Sequence, residues 1–525
     1  MKNMKEKLIS WFKGEKLKGS AICALVIGVI IAFNAIVYAF TVAFNLYLYS
    51  PEVDDLTISG STDVLFADAM AEAKENGEKI RIVFCRTRSQ FDPSSSTYTD
   101  DEVNKFYITA KQFEEKYPDF IELAYVNLLT KRMSVGDSGK EELIDLTELQ
   151  VKDESGSGDE YYPLYNSSII FLSNKEGREK RYIQDITAAA YVLASVETGE
   201  YSSYNGEEII ASMTMWVLAD EHKTAYFTTH HGEVADITFA NILSCAGYSI
   251  ETLDLRQADY VPKDADLLVI SNPTKDFETS GNTVYYPEIE KLDRYLKEGG
   301  NLYVTLDPYV KKLHVLEGLL EKYGISFAES EDGKLRHIVK DNDNAITADG
   351  FTLVADYADS ALANKIESSV RDYNEGNVVL KEAAALKLDG KLGAMPVLLS
   401  SGASSVYEGG DRVGSEGYYC VGAVSRFAAK DGKESNIFVL PSVYISANDA
   451  LSKKGYSNRD FLYSVFDNVF GVENVPYGCT PVYRRDAVLE NLTMKSARLY
   501  TALILSIPAI ITVVGSVIII KRKNR

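Results

Sequence analysis

The five histidines are the residues best suited to acid–base or metal chemistry, and all of them fall between residues 222 and 337. They are His222, His230, His231, His314 and His337. Two of them are adjacent, and Glu233 follows closely. Imidazole nitrogens beside a carboxylate can bind Zn²⁺ or move protons near neutral pH. The spacing fits no known zinc-ligand signature, and adjacent side chains of an extended segment point in opposite directions. We therefore expect this loop to be structural, with no metal and no cofactor.

A predicted strand precedes the histidine pair, and two further predicted strands end in polar or turn-forming residues. The carboxyl ends of parallel strands meet at one edge of a sheet, where such folds bind ligands. The candidate cleft at this edge contains His230, His231, Glu233, Asn272 and Asp307. Turn and capping chemistry accounts for the same residue types without a ligand. Both interpretations therefore stand at this point.

Hydrophobic spacing predicts the elements around that cleft. Phe239 and Leu243 lie on one face of a predicted helix that ends at Gly247, and Pro287 begins a second helix. The uninterrupted apolar run 267–270 is typical of a strand buried on both faces of a parallel sheet. Strands and helices that alternate through short turns predict right-handed crossovers and a doubly wound, Rossmann-like α/β sheet.

A second α/β unit is predicted before this sheet, and its order of elements looks thioredoxin-like. The chain has no Cys-x-x-Cys, so we expect no thiol exchange. The predicted elements are helices at 62–76, about 99–117 and 186–198, and strands at 80–85, 120–127 and 168–173. The polar stretch 136–161 is expected to be a loop or a partly disordered insertion.

Beyond residue 307, predicted strands and helices continue to the end of the body. The helices are 313–323 and 457–470, and the strands are 378–380, 395–400, 417–424 and 437–440. The polar residues 329–378 give no assignable pattern.

Two segments, residues 21–48 and 499–520, are apolar enough to cross a bilayer, which takes about 20 residues. The second has no charged residue. The first is too long for the apolar core of a signal peptide and lacks a clear cleavage site of small residues. An uncleaved anchor is therefore favoured over a signal peptide.

The charge distribution predicts the orientation of these spans. The formal net charge is −21, but the tails 1–20 and 521–525 each carry +4, which leaves −29 on the residues between them. Basic flanks stay in the cytoplasm. We predict a two-pass protein of the cell membrane with both termini cytoplasmic and residues 49–498 extracytoplasmic, divided into domains at 62–200 and 207–486. So acidic a body argues against a nucleic-acid partner.

Polar and helix-breaking residues within the predicted spans indicate contact with protein. Asn34 and Asn45 are 11 residues apart, which places them within roughly 20° of one face of a helix. An amide that faces lipid would lack partners. Pro508 and Gly515 give the second span a kink and a point of close approach. Either the spans dock on a membrane partner, or the two amides pair with the chain's own second span.

The motifs of common enzymatic chemistries are absent from the sequence. No Gly-x-x-x-x-Gly-Lys-Ser/Thr loop exists, so we expect no ATP hydrolysis. No Gly-x-Ser-x-Gly or Gly-x-Cys-x-Gly elbow follows a strand of the central sheet. Asn272-Pro273 stands where an elbow would be, and an asparagine cannot be that nucleophile. We predict that the chain is not an enzyme.

The cysteines do not form a disulfide framework. Cys23 lies in the first predicted span, and Cys85 and Cys245 sit in apolar patterns typical of buried thiols. Cys420 and Cys479 could pair outside the cell, but their spacing does not decide it.

Several short motifs in a fixed order resemble a known family. They are 228–233, Asp264 to Pro273, Leu296 to Leu302, Tyr323-Gly324-Ile325, Met395 to Ser401 and Asn458-Arg459-Asp460-Phe461. Together with the two anchors, they make residues 25–520 similar to the auxiliary component of gliding-motility-type ABC transport systems, the GldG-like proteins. Where that family usually has Gly-His-Gly-Glu, this chain has His230-His231-Gly232-Glu233.

The resemblance implies a non-catalytic extracytoplasmic subunit with a glutamine-amidotransferase-like domain. Such a subunit works with a separate ABC permease, a cytoplasmic ATPase and the lipid bilayer. The competing hypothesis is an anchored extracytoplasmic solute receptor or hydrolase that uses the cleft at the strand ends. Reactive groups gathered at those ends would favour the second hypothesis, and the sequence offers only the histidines.

The predicted topology can be tested with reporter fusions at each terminus. Because both flanks are basic, we expect a reporter that is active only in the cytoplasm to work at both ends. Protease-accessible tails on intact cells would contradict this orientation.

Overall fold

The computed structural model describes residues 56–99, 101–136, 140–152, 161–195, 200–234, 237–278, 287–479 and 481–483. These residues form mixed α/β structure within one compact unit. The predicted spans 21–48 and 499–520 lie outside the described residues, as do Asn34, Asn45, Pro508 and Gly515. Among the described residues, no helix is both long enough and apolar enough to cross a bilayer.

The N-terminal region, residues 56–204, is built on a six-stranded sheet. Its elements are α1 (Gly60–Asn76), β1 (Ile80–Phe84), α2 (Glu102–Lys116), β2 (Ile121–Asn127), β3 (Arg132–Val135), β4 (Glu141–Leu143), β5 (Ile169–Ser173), β6 (Arg181–Ile183), α3 (Ile186–Ala190), β7 (Tyr191–Ser195) and β8 (Glu200–Tyr204). The sheet order is β4-β3-β2-β1-β5-β6. β1 is parallel to β2 and antiparallel to β5, so the two strand directions meet at the centre of the sheet.

β1 is central because its side chains are apolar on both faces. Ile82 and Phe84 pack into one core cluster with Phe66 of α1 and Phe106 of α2. The intervening Val83 points into a second cluster on the other face, as the two-residue period of a strand requires. The predicted helix at 62–76 and the predicted strands at 80–85, 120–127 and 168–173 are confirmed.

Two predictions for this region are wrong in part. The helix expected at 186–198 ends at Ala190, and the chain continues as β7, which pairs with β8. The aromatic and β-branched pair at the start of β7, Tyr191 and Val192, favours a strand over a helix. The stretch 136–161, expected to be a loop, contains β4, whose residues are all exposed. Its backbone is paired with β3, a contact that polar composition does not reveal.

The C-terminal region, residues 206–483, contains an eleven-stranded sheet and its covering helices. Its helices and strands are α4 (Gly206–Leu218), β9 (Lys223–Thr228), α5 (Ile237–Cys245), β10 (Tyr248–Leu253), β11 (Ala265–Ser271), α6 (Glu288–Lys297), β12 (Asn301–Thr305), α7 (His314–Lys322), β13 (Ile325–Phe327), β14 (Ile338–Lys340), β15 (Thr352–Tyr357), α8 (Ala361–Arg371), β16 (Val378–Lys381), β17 (Leu386–Leu388), β18 (Ala394–Leu399), β19 (Ser405–Glu408), β20 (Asp411–Arg412), β21 (Cys420–Ala428), β22 (Glu434–Leu440), α9 (Asn448–Leu451), α10 (Asn458–Asn468) and β23 (Val482–Tyr483).

Five strands of the large sheet are parallel, in the order β10-β9-β11-β12-β22, and antiparallel strands extend the sheet beyond β22. Helices cover both faces of the parallel part. Leu267 and Val269 of β11 lie in one cluster with Phe239 of α5. Leu268 lies in the opposite cluster with Leu292 of α6. The apolar run that predicted a strand buried on both faces is therefore confirmed.

The unassigned residues 329–378 contain β14, β15 and α8. α8 buries Ala363, Ile366 and Val370, whose three- and four-residue spacing is a helical signal that the polar composition of the segment obscured. β15 mixes small, polar and apolar residues and is held in the sheet by backbone pairing with β16 and β18.

The described cysteines are free. Cys85, Cys245 and Cys479 are buried, as expected for the first two. Cys420 packs against one core cluster and Cys479 belongs to another, so the two thiols do not pair.

α4 joins the two regions and carries a buried ion pair. Its Glu208 accepts a hydrogen bond from Arg459 of α10 and another from the Tyr463 hydroxyl at 2.7 Å. Glu208 and Arg459 are 3% and 6% exposed. Burial raises the pKa of the Glu208 carboxyl, although both partners favour its charged form. The pair fixes α10 against the junction helix.

Removal of the carboxyl group of Glu208 should be strongly destabilising, because it leaves the Arg459 guanidinium buried without its partner. We expect Glu208→Ala to lower the free energy of unfolding by about 3–5 kcal/mol, measured by denaturant unfolding. The matched control is Glu298→Ala, which removes an exposed i,i+4 pair with Arg294 and should cost less than about 1 kcal/mol. Equal effects of the two substitutions would contradict this role.

Candidate functional site

The carboxyl ends of β9 and β11 lie next to each other at the point where the strand order reverses. From β9 the chain passes to β10 on one side, and from β10 it crosses to β11 on the other. Open α/β sheets bind ligands in the crevice outside such a switch point. The loop after β9 carries His230, His231 and Glu233, and the loop after β11 carries Asn272. Four of the five predicted cleft residues therefore lie in the two loops that flank this crevice.

His231 is buried between two carboxylates. Its Nδ1 is 3.0 Å from Oε1 of Glu233, and its Nε2 is 3.1 Å from both carboxylate oxygens of Glu288. The ring stacks on Phe277 with the ring centres 3.9 Å apart. The three polar side chains are almost completely buried. We call His231, Glu233 and Glu288 the carboxylate–histidine clamp.

The clamp holds a protonated imidazole. Burial, the largest single effect, opposes the charge, but the hydrogen bonds and charges of Glu233 and Glu288 outweigh it and raise the pKa of His231 to about 9. Burial also opposes the charge on the two carboxylates. Their hydrogen bonds, with His231 foremost, nevertheless hold the pKa values of Glu233 and Glu288 below the ordinary value.

A clamped imidazolium has little capacity for catalysis. A general base needs a ring nitrogen that can take a proton from a substrate, and a metal ligand needs a free lone pair. Both nitrogens of His231 face carboxylates. The arrangement instead ties the loop after β9 to the first turn of α6, where Glu288 lies.

Hydrogen bonds join the two loops directly. The backbone N–H of Val234 donates to the Ser271 carbonyl at 3.0 Å, and the Ser271 hydroxyl donates to the Val234 carbonyl at 2.8 Å. The N–H groups of Thr274 and Lys275 both donate to the His231 carbonyl at 2.8 Å. These bonds run directly across the switch point.

Gly232 makes this close approach possible. Its φ is +76°, and a Cβ atom at this position would lie 2.1 Å from the Thr274 hydroxyl oxygen. Any side chain here would both strain the backbone and push the loops apart.

His230 lies outside the clamp, and its backbone has a φ of +79° rather than the extended conformation assumed from the sequence. Its side chain is half exposed, and Nδ1 lies 3.3 Å from Oδ2 of Asp254. Arg256 also pairs with Asp254 through two 3.0 Å contacts. The hydrogen bond from Arg256 is the main reason that the pKa of Asp254 lies below its ordinary value. The exposed histidine thus belongs to a surface ion-pair group.

Asn272 and Asp307 have turn roles. Asn272 has a φ of +52°, and its backbone N–H donates to the Thr305 carbonyl at 3.0 Å. The Asp307 carboxylate accepts from the N–H of Tyr309 at 2.9 Å, and its carbonyl accepts from Arg336. Among the described hydrogen bonds, none joins Asp307 to the clamp. The sequence-predicted group is therefore only partly brought together.

Sequence reasoning missed Glu288 and Phe277. Glu288 follows Pro287 at the predicted start of a helix, where an acidic residue is ordinary and exposed. Its burial could have been inferred only from its position beside the loop after β9. Among the described residues, no group of three or more His, Cys, Asp or Glu side chains is placed to hold a metal ion.

Comparisons with known proteins identify no family for the chain. No family model matches it, and no curated protein matches it. Among solved structures, the mmIFT52 N-terminal domain is similar with a TM-score of 0.34 and 16% identity, over 47% of this chain and 96% of that one. A β-galactosidase from Rahnella sp. R3 has a TM-score of 0.24 and 11% identity, over 50% and 34% of the two chains. PurLQS from Thermotoga maritima has a TM-score of 0.25 and 11% identity, over 47% and 100%. Similarities this weak carry no functional argument.

The clamp predicts a loss of stability at alkaline pH. Because the pKa of His231 rises from 6.5 to about 9 on folding, its contribution is complete below pH 6.5 and is lost as the pH rises through 9. The shift corresponds to about 3 kcal/mol. The free-energy difference between wild type and His231→Gln, measured by denaturant unfolding, should therefore shrink by about that amount between pH 6.5 and pH 10.

The control is His314→Gln, because His314 is exposed. Its free-energy difference from wild type should stay nearly constant over the same pH range. A constant difference for His231→Gln as well would show that the imidazole is not clamped.

Proposed function

We propose that the chain is a non-catalytic, membrane-anchored extracytoplasmic subunit of an ABC-type transport complex, working with a separate permease and ATPase. It is inserted through the two spans predicted from the sequence, with residues 49–498 outside. Its body interacts with protein partners and does not turn over a small molecule.

The single observation that carries the non-catalytic part is the pairing of both ring nitrogens of His231 with carboxylates. A hydrolase that used this histidine as its general base would need one of those nitrogens free to take a proton. Hydrogen bonds also join the two loops across the switch point, between Val234 and Ser271 and between Thr274 and His231. His231, the histidine at the strand ends, is therefore already paired within the clamp.

The positions of the two ends of the described chain support anchoring by two spans. A Cβ atom added to Gly478 would lie 2.5 Å from the Ser61 hydroxyl oxygen, so these two residues are in contact. Ser61 and Gly478 thus lie side by side. The first predicted span precedes Ser61 in the sequence and the second follows Gly478, so this contact suits a body anchored through both.

The strand orders also support the domain types predicted from the sequence. In the first sheet, the four strands β2-β1-β5-β6 combine a parallel pair with an antiparallel hairpin, as the predicted thioredoxin-like unit requires. The parallel part of the second sheet has the doubly wound order expected of a glutamine-amidotransferase-like domain. Neither similarity assigns a reaction, because fold alone does not determine function.

The proposal predicts specific co-purification. The tagged full-length chain, extracted from membranes in detergent, should carry a permease and an ATPase with it. Replacement of Asn34 and Asn45 with Leu should reduce the yield of both partners, because the shared polar face would no longer hydrogen-bond to the permease. The measurement is quantitative mass spectrometry of the eluate.

The matched control is Ala43→Leu, because residue 43 lies about 180° from residue 34 on a helix. This variant should keep the wild-type yield. Undiminished yield in the asparagine double variant would mean that this face is not the docking surface. If the wild-type chain brings down no permease or ATPase, the transport-subunit proposal is wrong, and the receptor or hydrolase becomes the alternative to test.

A further inference from the structure

The first turn of α4 holds the start of the described chain. One carboxylate oxygen of Glu207 accepts three hydrogen bonds: from the Ser59 N–H at 2.7 Å, the Ser59 hydroxyl at 2.7 Å and the Thr62 hydroxyl at 2.6 Å. Ser59 is the N-cap residue of α1, but its side chain makes no capping hydrogen bond to that helix. The carboxylate therefore fixes the point at which the chain enters the body.

The end of the described chain meets the same place. The Cys479 sulfur lies 3.8 Å from the Thr62 hydroxyl, and both residues are buried. The Gly478 N–H donates to Asp460 of α10 at 3.0 Å. Thr62 is thus the one side chain that touches both the Glu207 carboxylate and the terminal segment in the described hydrogen bonds.

The next residue of α4, Glu208, contacts a different helix, α10. Glu208 binds Arg459 and Tyr463 of α10, and Asp460 of the same helix binds Gly478. These contacts therefore connect residue 59 to residue 478 by way of Glu207 and Glu208 of α4 and of Arg459 and Asp460 of α10. Each link is a hydrogen bond within buried or half-buried surroundings, where such bonds are strongest.

We propose that Glu207 and Thr62 form a latch that couples the two chain ends, so that loosening of residues 56–62 also loosens residues 477–483. The role that we give to this latch rests on the proposed function. If both ends lead to membrane spans, a displacement of either span reaches α4, the helix between the two sheets. The body then senses movement of the membrane segments through one helical turn.

Hydrogen exchange of the purified full-length chain tests the latch without any partner. Glu207→Ala removes the shared acceptor, and Thr62→Val removes only the bridging hydroxyl while keeping the side-chain shape. In both variants we expect exchange to accelerate on the order of tenfold in residues 56–62 and in residues 477–483. Protection in β11 and β12 should stay at the wild-type level, which reports that the fold is intact.

The matched control is Glu367→Ala, which removes an exposed pair with Arg371 on α8 and should change neither segment. Acceleration confined to residues 56–62, or no acceleration in either segment, would overturn the coupling. Should Glu207→Ala fail to fold, Thr62→Val decides alone. This experiment contains no partner protein, so a negative result would overturn the latch without affecting the co-purification test. The latch and the proposed function can therefore fail separately.

Discussion

The pairing of the charged His231 ring with the Glu233 and Glu288 carboxylates is the interaction on which the arrangement at the strand ends depends. A buried charge is tolerated only when it is paired and hydrogen-bonded, and here one cation satisfies two carboxylates from different elements. The contact binds the loop after β9 to the start of α6. It therefore holds the loop after β9 in place beside the switch point.

The same logic of buried polar contacts extends to the junction between the two sheets. Most residues of α4 are buried, and its two acidic residues contact different partners. Glu207 accepts a hydrogen bond from Thr62 near the start of the described chain, and Glu208 accepts one from Arg459. A helix that is both deeply packed and charge-anchored transmits displacement better than a flexible linker would. In both places, buried charged side chains hold separate segments of the chain together.

The sequence predicts the parallel strands well because their burial on both faces produces uninterrupted apolar runs, as at Leu267 to Ile270. It fails where pairing of the backbone, and not side-chain chemistry, determines the structure. β4 is wholly exposed, and β7 begins directly after a short alanine-rich helix. The candidate site illustrates a second limit. His231 and Glu233 are two residues apart in sequence and were found, whereas Glu288 is 57 residues from His231 and only the fold brings it there.

Titration of His231 by nuclear magnetic resonance tests the central claim most directly, because the claim is that a charged histidine holds the loop after β9 to the start of α6. The chain has five histidines, so selective isotope labelling with one substitution per residue assigns each signal. The clamp predicts that the His231 ring stays protonated through neutral pH and titrates near 9. A His231 signal that titrates at the ordinary value of about 6.5 would mean that the carboxylates do not hold the ring, and would contradict the clamp.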